Sequence, residues 1–384
     1  MKYQFVKSKH ILVLIMLLSY PISLRASIQL MWQKSFKNPI IQVSEINELT
    51  EEYQKGPSFL IKAVMTTKNI NFFNAKGQID KTLAIKNYFN QRLSNDGHTI
   101  AILEEQKILI SHADNKLIAE IPLIDKQSVV LPQHFYFELS PDGQSLVLVN
   151  WFLNTICFYH NDGKLIKIQQ IDDLKKSIIS FSKDSKYVLI NIPNWEQNKQ
   201  QGYFLLFTHK GEKLWSFEHQ GRDAVSDISY SGKNIVIAAN KNIFLLDKSG
   251  NIKLKKSLTD PISQLRISGD GNYSVYSALS DHSISLLDHS KNEILWTKKL
   301  KTFDSINSPF TSLEISDTAS HIAVAVGKHW GERNTESLFF IYDRKSNMLF
   351  KQKISDSNIR AYMGKTGKNI LFHTRKKAYL YQIK

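Results

Sequence analysis

The chain has 384 residues, of which 42% are hydrophobic, and its formal net charge is +15. The composition is ordinary for a globular protein, and the length suits either two average domains or one long all-β unit. The single cysteine, Cys157, excludes an internal disulfide, and no run of five like charges marks a nucleic-acid-binding tail.

The first 26 residues predict a secretory signal peptide that is removed from the mature chain. A basic start is followed by an apolar core at residues 11–18, a proline at Pro21 and a small-residue cleavage site ending at Ala26. An uncleaved membrane anchor is the alternative, but the apolar stretch is shorter than the roughly 20 residues that a bilayer span needs. No later segment is predicted to cross a membrane. Because no cysteine near the signal is available for lipid attachment, the sequence predicts a periplasmic or extracellular protein that is not a lipoprotein.

Removal of this segment, which contains four cationic residues and no acidic ones, leaves a net charge of +11. Such a balance favours an anionic surface or an acidic partner through long-range steering. A well-solvated, lysine-rich surface without a specific partner is the alternative.

Turn signals recur after the signal segment at intervals of 39 to 48 residues. Asp-Gly pairs between apolar runs indicate hairpins, because glycine adopts the positive φ that the turn needs. A period of this length is typical of repeat arrays and propellers. The equivalent turn positions are Gly97, Gly143, Ser185, Gly232, Gly271, Ala319 and Gly367.

Each repeat is predicted to contain four short strands, called a to d in chain order. Strand a precedes the turn, as in FYFELS at residues 135–140, and two apolar runs follow it, the second exemplified by IFLLD at residues 243–247. A Gly or Asn turn then leads to strand d, as in GEKLWSFEH at residues 211–219. These short, punctuated runs leave no room for long helices. One four-stranded unit cannot bury both of its faces, so the units are expected to cover one another around a β-propeller ring.

The two ends of the repeat array are predicted to build one blade together. The last repeat stops at Lys384 after three strands, whereas residues 28–36, IQLMWQKSF, have the strand d pattern without a repeat of their own. Pairing them would close the ring and remove two exposed sheet edges. The sequence therefore predicts one all-β propeller domain at residues 28–384 with eight blades. Seven blades is the alternative, because the first repeat, with its acidic segment after Val43, is the weakest.

The segment LLDHSKNEILWTKKL at residues 286–300 resembles the repeats of quinoprotein-like (PQQ-like) propellers, which share a hydrophobic-x-Asp, a turn and a Leu/Val-Trp pair. The Ser-Pro-Asp-Gly turn at residues 140–143 is similar to turns of WD-repeat propellers. The resemblance covers nearly the whole chain after the signal segment and implies a propeller fold. It implies little about function, because propellers include both enzymes and scaffolds.

The sequence departs from the quinoprotein enzymes at the features that carry their chemistry. Those enzymes typically use paired cysteines, a calcium site and a tryptophan stacked on the cofactor, and one cysteine cannot form the pair. The Asp-Gly turns are spread one to a blade and do not form a calcium loop. The resemblance also extends to the non-catalytic propeller lipoproteins of outer-membrane assembly, which bind proteins, although this chain lacks their lipid-acceptor cysteine.

The six tryptophans fall into two sets of three. One set lies in strand d and is predicted to pack between blades: Trp32, Trp215 and Trp296. The other set lies in the connections between strands b and c, and long connections often carry function. Because Trp is enriched at interface hot spots, this set predicts binding anchors around one mouth of the channel. Packing of each indole beneath its own loop is the alternative. The loop set is Trp151, Trp195 and Trp330.

The loop GKHWGERNTES at residues 327–337 adds Lys328, His329, Glu332 and Arg333. A hydrolase hypothesis takes His329 as the general base and Glu332 as the group that orients it. No nucleophile stands at a defined spacing, and no Gly-x-Ser-x-Gly elbow is present. A mixed-charge recognition loop is therefore favoured, and no catalytic residue is assigned.

No metal or cofactor is predicted. None of the 12 histidines forms a ligand-spaced pair on one element, and zinc usually needs three or four ligands. No phosphate loop or dinucleotide fingerprint leads from a strand into a helix. Asp247, Asp288 and Asp343 are expected to cap the turns between strands c and d, with calcium binding as the alternative.

These observations predict a non-enzymatic, exported scaffold that binds a protein or an anionic envelope component, and not nucleic acid, through its b–c loops. A propeller-type lyase or hydrolase acting at the channel mouth is the alternative, and a quinone-dependent oxidoreductase is a third hypothesis. The lyase or hydrolase requires His and Glu side chains from several blades to converge on one point. The predicted anchors are Trp151, Trp195, Trp330 and Arg333, with Lys328 and Glu332 on the rim of the site.

Overall fold

The computed structural model describes residues 27–44, 61, 63–74, 76–85, 90–123, 132–174, 176–193, 201–220, 224–278, 283–300, 310–327, 336–356 and 359–384. Nearly all of the regular structure in these ranges is strand, with one short 3-10 helix at Pro132–His134.

The strands form eight four-stranded antiparallel sheets, so the prediction of eight blades is confirmed. Blades 1 to 4 contain β2 (Ile40–Val43), β3 (Ala63–Thr66), β4 (Asn69–Phe73) and β5 (Ile79–Ala84); β6 (Asn90–Leu93), β7 (Thr99–Leu103), β8 (Lys107–His112) and β9 (Leu117–Pro122); β10 (Phe135–Leu139), β11 (Ser145–Asn150), β12 (Thr155–His160) and β13 (Leu165–Gln170); and β14 (Ile178–Phe181), β15 (Tyr187–Ile192), β16 (Gln201–Thr208) and β17 (Lys213–Gln220).

Blades 5 to 8 continue the same order of strands a to d. They contain β18 (Val225–Ile228), β19 (Asn234–Ala239), β20 (Asn242–Asp247) and β21 (Ile252–Ser257); β22 (Ile262–Ile267), β23 (Tyr273–Ala278), β24 (Ser283–Asp288) and β25 (Glu293–Lys299); β26 (Phe310–Ile315), β27 (His321–Gly327), β28 (Ser337–Asp343) and β29 (Met348–Ile354); and β30 (Arg360–Met363), β31 (Asn369–His373), β32 (Lys377–Ile383) and β1 (Ile28–Ser35).

The turn between strands a and b shows why this sequence repeats. In blade 3 the Ser140 hydroxyl donates to Asp142 Oδ1 at 2.6 Å and accepts from the Ser145 backbone N–H at 2.9 Å. Gly143 has φ +70°, and a Cβ on it would lie 2.4 Å from the Thr99 side chain of blade 2. Glycine is therefore required both by the turn and by the close approach of the neighbouring blade.

The N-terminal strand closes the ring, as predicted. Strand β1 pairs antiparallel with β32, and the register places Gln29 opposite Gln382 and Ser35 opposite Lys377. The closing strand completes blade 8 and covers an edge of β32 that would otherwise be free to pair with another chain.

The hydrophobic core is divided into eight clusters, one at each interface between neighbouring blades. Between blades 7 and 8, for example, the rings of Phe339 and Phe372 stack with centroids 4.3 Å apart. Each blade is thus stabilised chiefly by the blades beside it, as expected for a four-stranded unit that cannot bury its own faces.

The tryptophans of strand d pack between blades, as predicted. Trp32 Nε1 donates to the Gly77 carbonyl at 3.2 Å, and Trp296 Nε1 donates to the Arg344 carbonyl at 2.8 Å. Trp215 packs in the same way against the corresponding turn of blade 5. Each indole therefore joins its blade to the c–d turn of the next one.

Side-chain carboxylates cap the turns between strands c and d, also as predicted. Asp247 Oδ1 accepts from the backbone N–H groups of Ser249 at 2.8 Å and Asn251 at 3.0 Å, and Asp288 and Asp343 make equivalent bonds. The Asn251 side chain and these N–H groups hold the pKa of Asp247 below its usual value.

Candidate functional site

The antiparallel order of the strands gives the ring two different faces. The turns from a to b and from c to d lie at one end of each blade, called here the a–b face. The connections from b to c and from d to the next a lie at the other end, called here the b–c face. The b–c face includes the long connections at residues 193–200 and 328–336, and long connections often carry function.

Five of the six predicted site residues lie outside the described residues and stay predictions. They occupy the b–c connections of blades 4 and 7, in residues 194–200 and 328–335. These residues are Trp195, Lys328, Trp330, Glu332 and Arg333.

The sixth, Trp151, lies at the start of the b–c turn of blade 3 and is half-buried. Its ring stacks on Tyr136, with centroids 6.5 Å apart and planes 7° apart. Its Nε1 donates to Ser177 Oγ of blade 4 at 3.3 Å, and its backbone N–H donates to the His134 carbonyl at 2.9 Å. Trp151 thus supports the turn and ties blade 3 to blade 4.

The two residues after Trp151 are apolar and exposed: Phe152 at 57% and Leu153 at 37%. Their backbone is fixed, because Asn150 Oδ1 accepts from the N–H groups of Phe152 at 2.9 Å and Leu153 at 3.1 Å. Gln170 Nε2 donates to the Leu153 carbonyl at 2.9 Å, and the His134 ring stacks on Phe152. The turn therefore presents two apolar side chains to solvent from a rigid backbone.

The far end of the same turn is tied to the connection that enters blade 4. Asn154 has φ +53°; its Oδ1 accepts from the Leu174 N–H at 3.2 Å, and its carbonyl accepts from the Ile171 N–H at 3.0 Å. Directly after Ser177, Ile178 is 54% exposed.

The central channel is lined by the first strands, which contact one another around the ring. Each strand a has a half-buried side chain at the same position, which is two residues before the a–b turn begins. Five of these eight side chains are charged, one is an amide, and the other two are a serine and a tyrosine. In blade order the residues are Gln42, Arg92, Glu138, Ser180, Asp227, Arg266, Glu314 and Tyr362.

Charged members of this set pair between neighbouring blades. Arg92 Nε lies 2.7 Å from Glu138 Oε2, and the Tyr136 hydroxyl donates to Glu138 Oε1 at 2.5 Å. Burial raises the pKa of Glu138, and the Arg92 guanidinium acts in the opposite direction. The pair links blade 2 to blade 3 across the inner edge of the ring.

Blades 5, 6 and 7 are linked in the same way. Arg266 Nε lies 3.5 Å from Glu314 Oε1, and Asp227 Oδ2 accepts from the Ile267 backbone N–H at 2.9 Å. Burial raises the pKa of Glu314, against the effect of Arg266. These carboxylates are thus engaged in holding blades together.

A contact also crosses the channel mouth on the a–b face. Lys365, in the turn of blade 8, places its Nζ 4.7 Å from the centroid of the Tyr230 ring in blade 5. The same Nζ donates to the Tyr230 hydroxyl at 3.3 Å. These two blades are three apart in the ring, so the contact spans this mouth of the channel.

His373, at the end of strand b in blade 8, is 2% exposed. Its Nδ1 donates to the Thr374 carbonyl at 2.8 Å, and its ring stacks on Tyr362. Burial lowers the pKa of His373 to about 4, and the nearby Arg360 acts in the same direction.

His373→Gln is expected to weaken the pH dependence of stability. Because the unfolded imidazole has its ordinary pKa of about 6.5, the unfolded chain binds more protons than the native protein as the pH falls. The free energy of unfolding should therefore drop between about pH 6.5 and pH 4, by about 3 kcal/mol for this group alone. Urea unfolding at pH 7 and pH 4.5 measures the change. An equal loss of unfolding free energy between pH 7 and pH 4.5 in the parent and in His373→Gln would contradict the lowered pKa of His373. His160→Gln, which removes an exposed imidazole, is the control.

Eight four-stranded antiparallel blades in a closed ring define a β-propeller. The fold is similar to that of solved propellers, including BamB from Moraxella catarrhalis, with a TM-score of 0.58 and 12% identity over 94% of this chain and 98% of that one. It is equally similar to the WD40 domain of SCAP from fission yeast, with a TM-score of 0.58 and 10% identity over the same shares. The predicted resemblance to quinoprotein-like and WD-repeat propellers is confirmed for the fold.

Comparisons of the amino-acid sequence with known families and proteins do not indicate a function. A family of unknown function (DUF5711) matches residues 148–276, which is about a third of the chain. The comparison with curated proteins gives no match. In the part of the chain that the structure describes, no helix has the length and apolar character to span a bilayer, and no group of three or more His, Cys, Asp or Glu is arranged to hold a metal ion.

Proposed function

We propose that this protein is a non-enzymatic propeller scaffold that binds a partner protein through its b–c face. The observation that carries the proposal is the exposure of Phe152 and Leu153 on a turn whose backbone is held by Asn150 and Gln170. Binding hot spots are enriched in large aromatic side chains, and a site that is already ordered loses less entropy when the partner binds.

The predicted loop residues extend the proposed surface. Trp195 belongs to the b–c connection of blade 4, the blade to which Trp151 is tied through Ser177. Trp330 and Arg333 belong to the b–c connection of blade 7, with Lys328 and Glu332 beside them. All of these connections belong to the same face of the ring, so one partner could contact several blades.

Two features argue against the lyase or hydrolase alternative. None of the eight equivalent channel positions, all of which are described, is a histidine. Glu138 and Glu314, the two glutamates among them, are paired with Arg92 and Arg266 and so link neighbouring blades. General acid–base catalysis needs an acid and a base within reach of one substrate, and the described channel residues do not supply that pair.

Residues 1–26 have the pattern of a signal peptide, so we place the scaffold in the periplasm or outside the cell. An exported propeller of this kind would act by holding a partner, without a cofactor.

The test is to identify the partner by photo-crosslinking from position 152 in extracts of the cell envelope, and then to measure its affinity for variants. Phe152→Ala/Leu153→Ala is expected to weaken binding by roughly thirtyfold, as for the loss of one hot spot of about 2 kcal/mol. The control Ile79→Ala/Leu117→Ala removes two similarly exposed apolar side chains from strand d of blades 1 and 2 and should leave binding unchanged. Equal affinities for both double variants would reject this face as the binding surface.

A further inference from the structure

The outermost strands carry an uneven charge around the ring. Strand d of blades 5, 6 and 7 has a net charge of +3, +1 and +2, six in all, counting one glutamate in blade 6. The same strand of blades 1 to 4 has 0, −1, +1 and 0, which add to zero, and that of blade 8 has +1. We call the cations of the three consecutive blades the lysine rim: Lys253, Lys255, Lys256, Lys298, Lys299, Lys351 and Lys353.

Exposed apolar side chains lie near the start of the same three strands, ahead of the lysines. Ile252 is 52% exposed in blade 5, Ile294 and Leu295 are each 37% exposed in blade 6, and Met348 is 55% exposed in blade 7. The outermost strand of each of these three adjacent blades thus carries both exposed apolar side chains and lysines.

Protection of free sheet edges does not explain this distribution. Lysines on an edge strand discourage pairing with other chains. However, β13 of blade 3 is an edge strand with three exposed apolar residues and one lysine, and it lacks such protection. The concentration of lysines in blades 5 to 7 therefore needs another reason.

The rim lysines lie along the sheets and keep their ammonium groups at the surface. Lys255 Nζ lies 5.6 Å from the centroid of the Phe244 ring, and Lys351 Nζ lies 5.7 Å from that of Phe340. Lys353 is paired with Glu336 at 2.8 Å. Long cationic side chains that cover apolar surface in this way suit the boundary between water and an apolar phase.

We propose that the lysine rim docks the protein on an anionic lipid bilayer. Cationic side chains attract anionic headgroups, and interspersed apolar side chains enter the boundary between headgroups and acyl chains. An acidic peptide or a nucleic acid would use the charge but not the exposed Ile252, Leu295 and Met348, so the lipid surface fits the described residues better. Blade 6 is the centre of contact, with blades 5 and 7 turned by an eighth of a circle on either side.

Docking by the rim leaves the b–c face accessible, because the rim lies on the outermost strands at one side of the ring, whereas the b–c face lies at one end of the channel axis. The two surfaces share no residue, so the lipid proposal does not depend on the proposed protein partner. A scaffold held in this way would present its b–c face to the side, close to the bilayer.

The experiment is sedimentation of the protein with vesicles of phosphatidylcholine alone and of phosphatidylcholine mixed with phosphatidylglycerol. Binding to the anionic vesicles only is expected. The rim variant Lys253→Gln/Lys255→Gln/Lys299→Gln/Lys351→Gln should lose more than about a hundredfold in partition, because each lysine near an anionic surface contributes roughly fivefold. The control variant Lys116→Gln/Lys164→Gln/Lys167→Gln/Lys210→Gln changes four exposed lysines of blades 2 to 4 and has the same net charge as the rim variant. It should retain binding to the anionic vesicles.

A second variant separates the lipid surface from simple charge. Ile294→Ser/Leu295→Ser keeps every lysine and should still weaken binding to the anionic vesicles, while leaving any binding to polyglutamate unchanged. An equal loss in the rim and control variants, or no preference for anionic vesicles, would overturn the proposal. Thermal unfolding of each variant checks that the fold is retained.

Discussion

A disulfide between cysteines at positions 29 and 382 is expected to raise the free energy of unfolding by about 5 kcal/mol. The change, Gln29→Cys/Gln382→Cys, is made with Cys157→Ser so that the new pair holds the only thiols. The two glutamines face each other across the β1–β32 pair that closes the ring.

The size of the effect follows from the length of chain between the two positions. Residues directly opposite in an antiparallel pair have Cα atoms about 4.5–5.5 Å apart, which is within the range that a disulfide spans. The bond closes a loop of about 350 residues, and the entropy removed from the unfolded chain grows with the logarithm of loop length. Few positions in this chain lie so close in space and so far apart in sequence.

Urea unfolding of the oxidised and the reduced protein measures the gain in the free energy of unfolding, and the reduced variant is its own control for the three substitutions. If oxidation leaves the unfolding midpoint unchanged, separation of β1 from β32 is not coupled to global unfolding. In that case the closing strand contributes less than its position suggests.

Glu138→Ala is expected to lower the free energy of unfolding by about 3 kcal/mol, the low end of the range for breaking a buried ion pair. The change leaves the guanidinium of Arg92 in the channel without its carboxylate at 2.7 Å, and it leaves the Tyr136 hydroxyl without its acceptor. The side chains of Arg92 and Glu138 are 19% and 21% exposed, so water compensates only partly.

The double change Arg92→Met/Glu138→Leu is the matched control, because it removes both charges and keeps most of the volume. Replacing a whole buried pair by apolar side chains is often close to neutral, so this variant should be clearly more stable than Glu138→Ala. Chemical denaturation of the three proteins at neutral pH decides the point. A double variant no better than Glu138→Ala would show that packing, and not the unpaired charge, sets the cost.

Much of the fold could be predicted, because the information is local and is repeated. In the Ser-x-Asp-Gly turn at residues 140–143, Gly143 indicates the positive φ that the turn adopts. The other seven blades repeat the same order of strands, which shows where each strand begins and ends. Trp32 identified β1 as a strand d without a blade, which was enough to predict how the ring closes. The number of blades followed from counting the predicted first strands along the chain.

The candidate site was less predictable, because exposure depends on tertiary contacts. Trp151 was selected for its residue type, and the structure shows it half-buried against Tyr136 and Ser177, with Phe152 and Leu153 more exposed beside it. A local signal did exist: the turn NWFLNT sets three apolar residues between two asparagines. The Asn150 side chain binds the backbone of the turn, and the Asn154 side chain binds the backbone N–H of Leu174.

The channel pairs were missed for a different reason. Arg92 and Glu138 lie 46 residues apart and are joined only when each is placed two residues before its own a–b turn. Comparing this position across the eight strands a would have shown the set, because Arg92 is followed by Glu138 and Arg266 lies between Asp227 and Glu314. Comparing only the residues within the turns does not show it.

The pairing of β1 with β32 also sets the order in which this molecule can be finished. Ile28 is among the first residues of the ring to be synthesised, and its partner Ile383 is among the last. Blades 1 to 7 can assemble as the chain emerges, but blade 8 stays incomplete until β32 is made, and β1 has no partner strand until then. Contacts this distant in sequence slow folding and prolong exposure of free edges. A free sheet edge therefore stays open to pairing with other chains until the last strand of the ring is released.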